Sequence, residues 1–213
     1  MVARAQRKKR TRLKPDVRRE QLLNVGLEVF AKKGLTATHL ADVAEAAGVT
    51  KAIVYHYFEN KQAFFDAIAE REMRLVVGRI REALEGVPLE DNPQEGGRAF
   101  FEYLEERPHG FAALMSHAPI AWHGDDRLSE LRRTFYEAAA TAMRHALGNA
   151  GDVDTDGGLI AHAALGGYIF AAQYWLHDES GTPARGAAEQ LANLITRGIT
   201  AFLKTEEVKP PDR

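Results

Sequence analysis

Apolar positions recur at helical spacing along the chain, and no stretch alternates convincingly with the period of two that marks a strand. Residues 16–33 put Leu23, Leu27 and Phe30 on one face and stop at Gly34, a natural left-handed cap. Thr36 or Thr38 can cap a short second helix that holds Leu40, Val43, Ala44 and Ala47 and ends at Gly48. Thr50 is placed to cap a third, with Val49 and Val54 at the spacing of a hydrophobic staple. Asn60 opens a long fourth helix running to about Glu85. After a loop from Gly86 to Pro93, helices are expected at 95–107, 109–117, 125–148, 157–178 and 184–204. The pattern predicts an all-α chain: a basic, disordered arm (1–15), a small helical domain (16–61), a larger one (62–207) and a fraying tail (208–213).

One segment, Leu159 to Leu176, is apolar on nearly every side and raises the question of a membrane. It contains His162, Gln173 and the pair Gly166-Gly167, and is barely long enough to span a bilayer. A helix buried on two sides in a soluble protein is the expectation, with no membrane partner.

Charge changes the picture. The formal net charge of −2 conceals +7 over residues 1–61 (13 Lys/Arg against 6 Asp/Glu) and −9 over the remainder (15 against 24). Nine of the basic residues lie between Arg4 and Arg19, so one end is suited to a polyanion and the rest is not. The chain has no cysteine, which excludes disulfides, zinc–thiolate sites and thiol nucleophiles and suits a reducing cytoplasm, the expected location. The basic N-terminus lacks the apolar stretch of a secretory signal, so no targeting segment is expected.

The chemistry concentrates in residues 48–61. On a helical wheel of residues 50–58, Val54 and Phe58 point together into a small core. Ala52 and His56 then face the opposite way, flanked by Ile53 and Tyr55, with Lys51 beside Tyr55. Such a face fits a major groove: Ala52 permits close approach, Ile53 can touch a thymine methyl, and the phenol, imidazole and ammonium can bond bases or phosphates. Lys61 falls at the start of the fourth helix, where backbone N–H groups already favour a phosphate. The plainer alternative makes Tyr55, His56 and Tyr57 semi-buried members of a helical core.

These residues carry a family resemblance. Leu22-Leu23 to Phe30-Ala31, Gly34, Asp42-Val43-Ala44-Glu45-Ala46-Ala47-Gly48-Val49, Thr50-Lys51 to Tyr55-His56-Tyr57-Phe58 and Asn60-Lys61 resemble the DNA-binding segment of the TetR family of bacterial transcriptional regulators. The resemblance covers about a quarter of the chain. It implies a three-helix helix-turn-helix DNA-binding domain followed by a C-terminal ligand-binding and dimerisation domain. It further implies a homodimer on a palindromic double-stranded operator, released by a small organic effector, with no cofactor. By the same resemblance Lys51, Ala52, Ile53, Tyr55 and His56 are base or backbone contacts, and Thr38, Thr50, Tyr57 and Lys61 phosphate contacts. Arg10, Arg12 and Lys14 belong to an arm that either enters a minor groove or binds phosphates without sequence preference. Two positions depart from the family pattern: Ala41 stands where a basic residue is frequent, and Ile53 where a small hydroxyl residue is.

The resemblance also implies a pocket and a two-helix dimer face. Pocket candidates, each equally suited to plain core, are Phe100, Phe101, Tyr103, Leu104, Phe111, Met115, Trp122, Phe135, Met143, Tyr168 and Trp175. His117 and His162 could orient a polar group, and a neutral or amphipathic effector is expected. For the dimer face the candidates are Ala163, Gly167, Phe170, Leu191, Leu194, Ile195, Ile199 and Phe202, although the small residues could equally ease internal packing.

Other chemistry finds little support. Asp152 to Gly157 resembles the opening of an EF-hand loop, but its twelfth position is Ala163 rather than a bidentate Glu, which leaves an acidic helix-capping turn. His109, His117 and His123 match no familiar metal spacing, so no metal is expected. With no nucleophile elbow, no P-loop, and Glu105-Glu106 diverging on one helix, an enzyme is not expected. The alternatives kept are a ligand-binding or assembly protein with nonspecific nucleic-acid binding and, third, a helical enzyme.

Overall fold

In a computed structural model of the chain, residues 13–88, 91–116, 157–177 and 181–206 are described, together with single positions at 130, 133 and 137. They form eight helices, and no strand occurs among the described residues. The chain divides into two compact units, one ending at Ile68 and the other beginning at Ala69.

In the first unit, α1 (Pro15–Ala37) opens with proline and Asp16 in its first turn, both favourable there. It buries Leu22, Leu23, Leu27 and Phe30. Gly34, at φ 76 and ψ 160, interrupts it at the expected stop. The N-cap of α2 (Leu40–Ala46) is His39, which corrects the expectation of Thr36 or Thr38. Asp42 accepts the His39 N–H at 2.9 Å. Thr38 is fully buried and donates its hydroxyl to the Gly34 carbonyl at 2.7 Å, engaging a carbonyl where α1 breaks.

Gly48, at φ 63, ends α2 in a Schellman turn. Its N–H donates to the Glu45 carbonyl at 3.0 Å and the Val49 N–H to the Ala44 carbonyl at 2.9 Å. That turn delivers α3 (Lys51–Tyr57), whose Val54 is buried. Thr50 holds the N-cap position, but its hydroxyl makes no capping bond. Asn60 does cap α4 (Lys61–Leu84), accepting the Ala63 N–H at 2.8 Å. The start of α4 sends Phe64, Phe65 and Ile68 into the same core. Phe64 stands edge-on to Phe58 at 4.5 Å and Phe65 edge-on to Phe30 at 5.1 Å. Gly26 lies so close to the Phe64 ring that a Cβ there would overlap it.

The second unit contains the rest of α4, α5 (Asn92–Glu106), α6 (Pro108–Ser116), α7 (Gly157–His177) and α8 (Ala184–Glu206). Pro93 sits in the first turn of α5, which begins three residues before the expected 95. Phe101, Tyr103, Leu104, Phe111, Leu114, Ala172, Ala184 and Ala188 form its buried core. Among the described side chains of α8, the small Ala184, Ala188 and Ala192 are buried, at a spacing of four. Among the described residues no helix is long and apolar enough to cross a membrane.

Candidate nucleic-acid interface

The short α3 separates its two sides as a groove-reading helix must. Val54 and the following Phe58 are buried, while Lys51, Ala52 and His56 are exposed and Tyr55 is 54% exposed. Ile53 and Tyr57 are half-buried, Tyr57 with its ring 5.2 Å from His56 and edge-on to it. Tyr55 and His56 therefore do not belong to the core, and Tyr57 belongs to it in part. Thr50 and Lys14 are exposed; Arg10 and Arg12 lie outside the described residues.

An open groove of about 400 Å³ runs beside this helix, lined by His39, Leu40, Ala41, Asp42, Lys51, Tyr55 and Lys61. Two of the expected phosphate ligands are otherwise engaged. Thr38 is buried with its hydroxyl bonded internally, so its side chain cannot meet a phosphate, a correction to the expectation. The Lys61 ammonium donates to the carbonyls of Thr36 and Thr38, 3.0 Å from each, tying the start of α4 to the turn before α2. The His39 N–H and then Lys33, whose ammonium is 3.0 Å away, hold the Asp42 carboxyl below the usual carboxylate range. The His39–Asp42 cap departs from the usual Ser/Thr-x-x-Glu signature, so the sequence carries only an acid three positions after the cap, just ahead of an apolar run.

In the second unit, Phe100, Phe101, Tyr103, Leu104, Phe111, Met115, Tyr168 and Trp175 belong to one packed cluster. The polar ends of its larger aromatics are engaged: Tyr103 donates to Glu72 at 2.9 Å, Tyr168 to the Pro93 carbonyl at 2.6 Å and Trp175 to the Thr182 carbonyl at 2.7 Å. His162 is exposed on α7. His117, Trp122, Phe135 and Met143, with Asp152 to Asp156 of the acidic turn, lie outside the described residues.

Unforeseen from sequence is the ionic cluster around the fully buried Glu72. Its carboxylate accepts Arg107 at 2.7 and 2.8 Å, Arg71 at 2.8 and 3.1 Å, and the Tyr103 hydroxyl. Burial pushes this carboxyl up, but Arg107, Arg71 and Tyr103 together more than offset it and leave it below its ordinary value. Burial, and then the neighbouring carboxylate, push the Tyr103 phenol far upward. Among the described residues no cluster of His, Asp and Glu is arranged to hold a metal.

On α7, Leu159, Ala163, Phe170 and Tyr174 are exposed along one stripe, with Gly166 and Gly167 half-exposed between them. Phe170 is 73% exposed and Leu194 of α8 69%. Leu191 packs against the core cluster of its own chain and Ile195 is half-buried. The side chains of Ile199 and Phe202 lie outside the described residues.

Comparison with known proteins agrees with this geometry. The model of the tetR family of bacterial regulatory proteins, in its N-terminal part, matches residues 22–68. The HTH-type transcriptional activator FasR of Mycolicibacterium smegmatis is 26% identical over 199 residues, 89% of this chain and 86% of that protein. The HTH-type transcriptional repressor KstR2 of Rhodococcus jostii is 37% identical over 65 residues, a match spanning 30% of this chain and 32% of that protein. In structure, a TetR-like transcriptional regulator from Rhodococcus sp. RHA1 superposes with a TM-score of 0.73 at 22% identity, covering 89% of this chain and 99% of that one. That likeness shows the shared all-helical fold.

Proposed function

The chain belongs to the TetR family of bacterial transcriptional regulators, and from that premise we propose that it binds a two-fold symmetric operator as a homodimer and leaves it when a small organic molecule enters the C-terminal unit. The two-sidedness of α3 carries this: its valine is anchored in the core while lysine, alanine, tyrosine and histidine face outward. Lys51, Ala52, Ile53, Tyr55 and His56 meet bases or the adjoining backbone, with Thr50 and Tyr57 at phosphates and Lys14 leading back to the basic arm. Two copies would present their α3 helices about 34 Å apart, in successive major grooves.

The exposed stripe of α7, with Leu194 of α8, supplies the dimer face: large apolar groups flank small residues that allow close helix approach. Effector control follows from unequal affinity for two conformations, and a tenfold fall in operator affinity needs a difference of about 1.4 kcal/mol. Repression relieved by the effector is the simplest output. The activator name of FasR, a relative matched over 86% of its length, favours activation as a second reading.

Selection of duplexes from a random pool, followed by band-shift titration over a salt series, tests the function. A palindromic consensus bound with steep salt dependence is the expected result. Equal affinity for all sequences would instead favour a nonspecific nucleic-acid binder.

A further inference from the structure

Arg107 joins three helices at the corner where α5 turns into α6. Its N–H closes α5 on the Tyr103 carbonyl at 2.9 Å, and its own carbonyl accepts the Gly110 N–H that opens α6, also at 2.9 Å. Its guanidinium reaches α4 and grips Glu72 with two N–H bonds of 2.8 and 2.7 Å. We propose that this grip is a releasable latch: it holds α6 closed over the apolar core, and its opening admits the effector. The inference rests on the effector control proposed above and names the movement by which the effector enters.

A buried carboxylate robbed of its one cation is costly, so a tie of that kind stays shut. Glu72 has a second cation. Arg71, its neighbour on α4, donates two bonds of 2.8 and 3.1 Å, and the Tyr103 hydroxyl donates another at 2.9 Å. When Arg107 lets go, the carboxylate therefore keeps three bonds and a positive partner. The departing guanidinium, on a side chain already 30% exposed, completes its solvation in water, whereas the Arg71 side chain at 10% is committed to the interior. Closed and open arrangements are both satisfied, as a two-state element requires.

The latch holds down a short helix with an apolar load. α6 lays Phe111 and Leu114 on the core of the second unit, with Met115 at its margin and Phe111 edge-on to Phe100 at 6.0 Å. Lifting α6 opens the apolar walls between Phe100 and Met115 to an entering molecule. The backbone of Arg107 is non-helical, at φ −136 and ψ 57, which makes it the joint about which the lift turns. Gly110 lets α6 sit close, since a Cβ there would overlap Glu72 Oε2 and the Tyr103 hydroxyl. That same Oε2 accepts from both Arg107 and Tyr103, so the latch closes only beneath a glycine.

Two substitutions in the full chain open the latch by different chemistry. Arg107→Gln removes the grip, while Gly110→Ala keeps every charge and wedges a methyl against the gripped oxygen. Hydrogen exchange should show the α6 amides opening on the order of tenfold faster in both variants, with the α8 amides unchanged. Nile red, a neutral apolar dye, should bind each variant on the order of tenfold tighter than the unaltered chain, because the open form is more populated. The latch is overturned if exchange in Arg107→Gln stays unchanged, or rises equally across the second unit as it would on loss of an ordinary stabilising contact. Faster opening of α6 with no gain in dye binding would equally sink the admission role. None of these readings uses DNA, so loss of the latch is told apart from loss of the proposed function, which a failure to select any duplex would show.

Discussion

Replacing Glu72 by Gln removes one buried negative charge and leaves two guanidinium groups facing a neutral amide. The carboxylate accepts four N–H bonds from Arg71 and Arg107, between 2.7 and 3.1 Å, and one O–H bond from Tyr103. A glutamine oxygen can keep part of that set, but its NH2 group turns donors toward donors. Breaking a buried ion pair from one side costs about 3–5 kcal/mol. The Arg107 side chain is 30% exposed, so water recovers part of its loss, while Arg71 at 10% recovers little. The lower end, about 3 kcal/mol, is therefore expected, equivalent to a fall in Tm of roughly 6–12 °C for a chain of this size.

The sign with pH follows from the lowered carboxyl. Where the folded value lies below the unfolded one, near 4.3, the unfolded chain binds more protons, so this contribution is full above about pH 5 and fades as pH falls through the folded value. Melting curves of the chain and of Glu72→Gln from about pH 8 to about pH 3 should run apart at neutrality and converge in acid. A variant within about 0.5 kcal/mol of the unaltered chain at neutral pH, the size of an ordinary surface change, would refute the ionic reasoning. So would a gap that stays constant into acid.

Three further substitutions probe the other contacts. Gly26→Ala forces a methyl into the Phe64 ring, which Phe30 and Phe58 hold in place; overpacking of about 1–3 kcal/mol outweighs the gain in helix propensity, and chemical denaturation should show a net loss. Lys61→Met removes two charge-assisted bonds to the turn before α2 and should cost about 1–2 kcal/mol in a melt. If that tie is its main task, the salt slope of DNA binding changes by much less than the value of about 0.9 expected for a phosphate ligand. Phe170→Glu should leave folding within about 0.5 kcal/mol, since the ring is exposed in one chain, yet convert a dimer to a monomer in sedimentation; a persisting dimer would refute the α7 face.

Most helices were legible because the chain marks their ends in ordinary ways. Gly34 and Gly48 take positive φ where the periodicity stops, and Asn60 caps α4 through its side chain. The outward face of α3 was equally legible, since Val54 and Phe58 are four residues apart and one anchored side determines the other. Failures came where a side chain had two local options. A threonine near a helix start is a good cap, yet at position 38 the nearer need was the Gly34 carbonyl, and His39 with Asp42 took the cap. The Glu72 cluster was illegible for a different reason. Its partners Tyr103 and Arg107 lie 31 and 35 positions away, and only packing of α4 against the α5–α6 corner reveals that an apparently solvated acid is buried.

The same packing reorders the candidates for effector contact. Tyr103, Tyr168 and Trp175, expected as pocket lining or plain core, each carry a hydrogen-bonding end on an apolar body. Each of those ends already has a protein acceptor, at Glu72, Pro93 and Thr182 respectively. A ligand bonding to one of them must displace that acceptor and leave it unsatisfied, at a cost of about 1–3 kcal/mol. Phe100 and Met115 face no such penalty: both pack at the margin of the core cluster, only partly buried, and neither has a strong hydrogen-bonding group to desolvate. Contact through these two favours an effector whose inner end is apolar and whose polar groups remain outside the cluster. Phe100→Ala and Met115→Ala should therefore weaken effector-induced release from DNA more than Trp175→Phe does, and the reverse order would point to an effector that bonds at the aromatic polar ends.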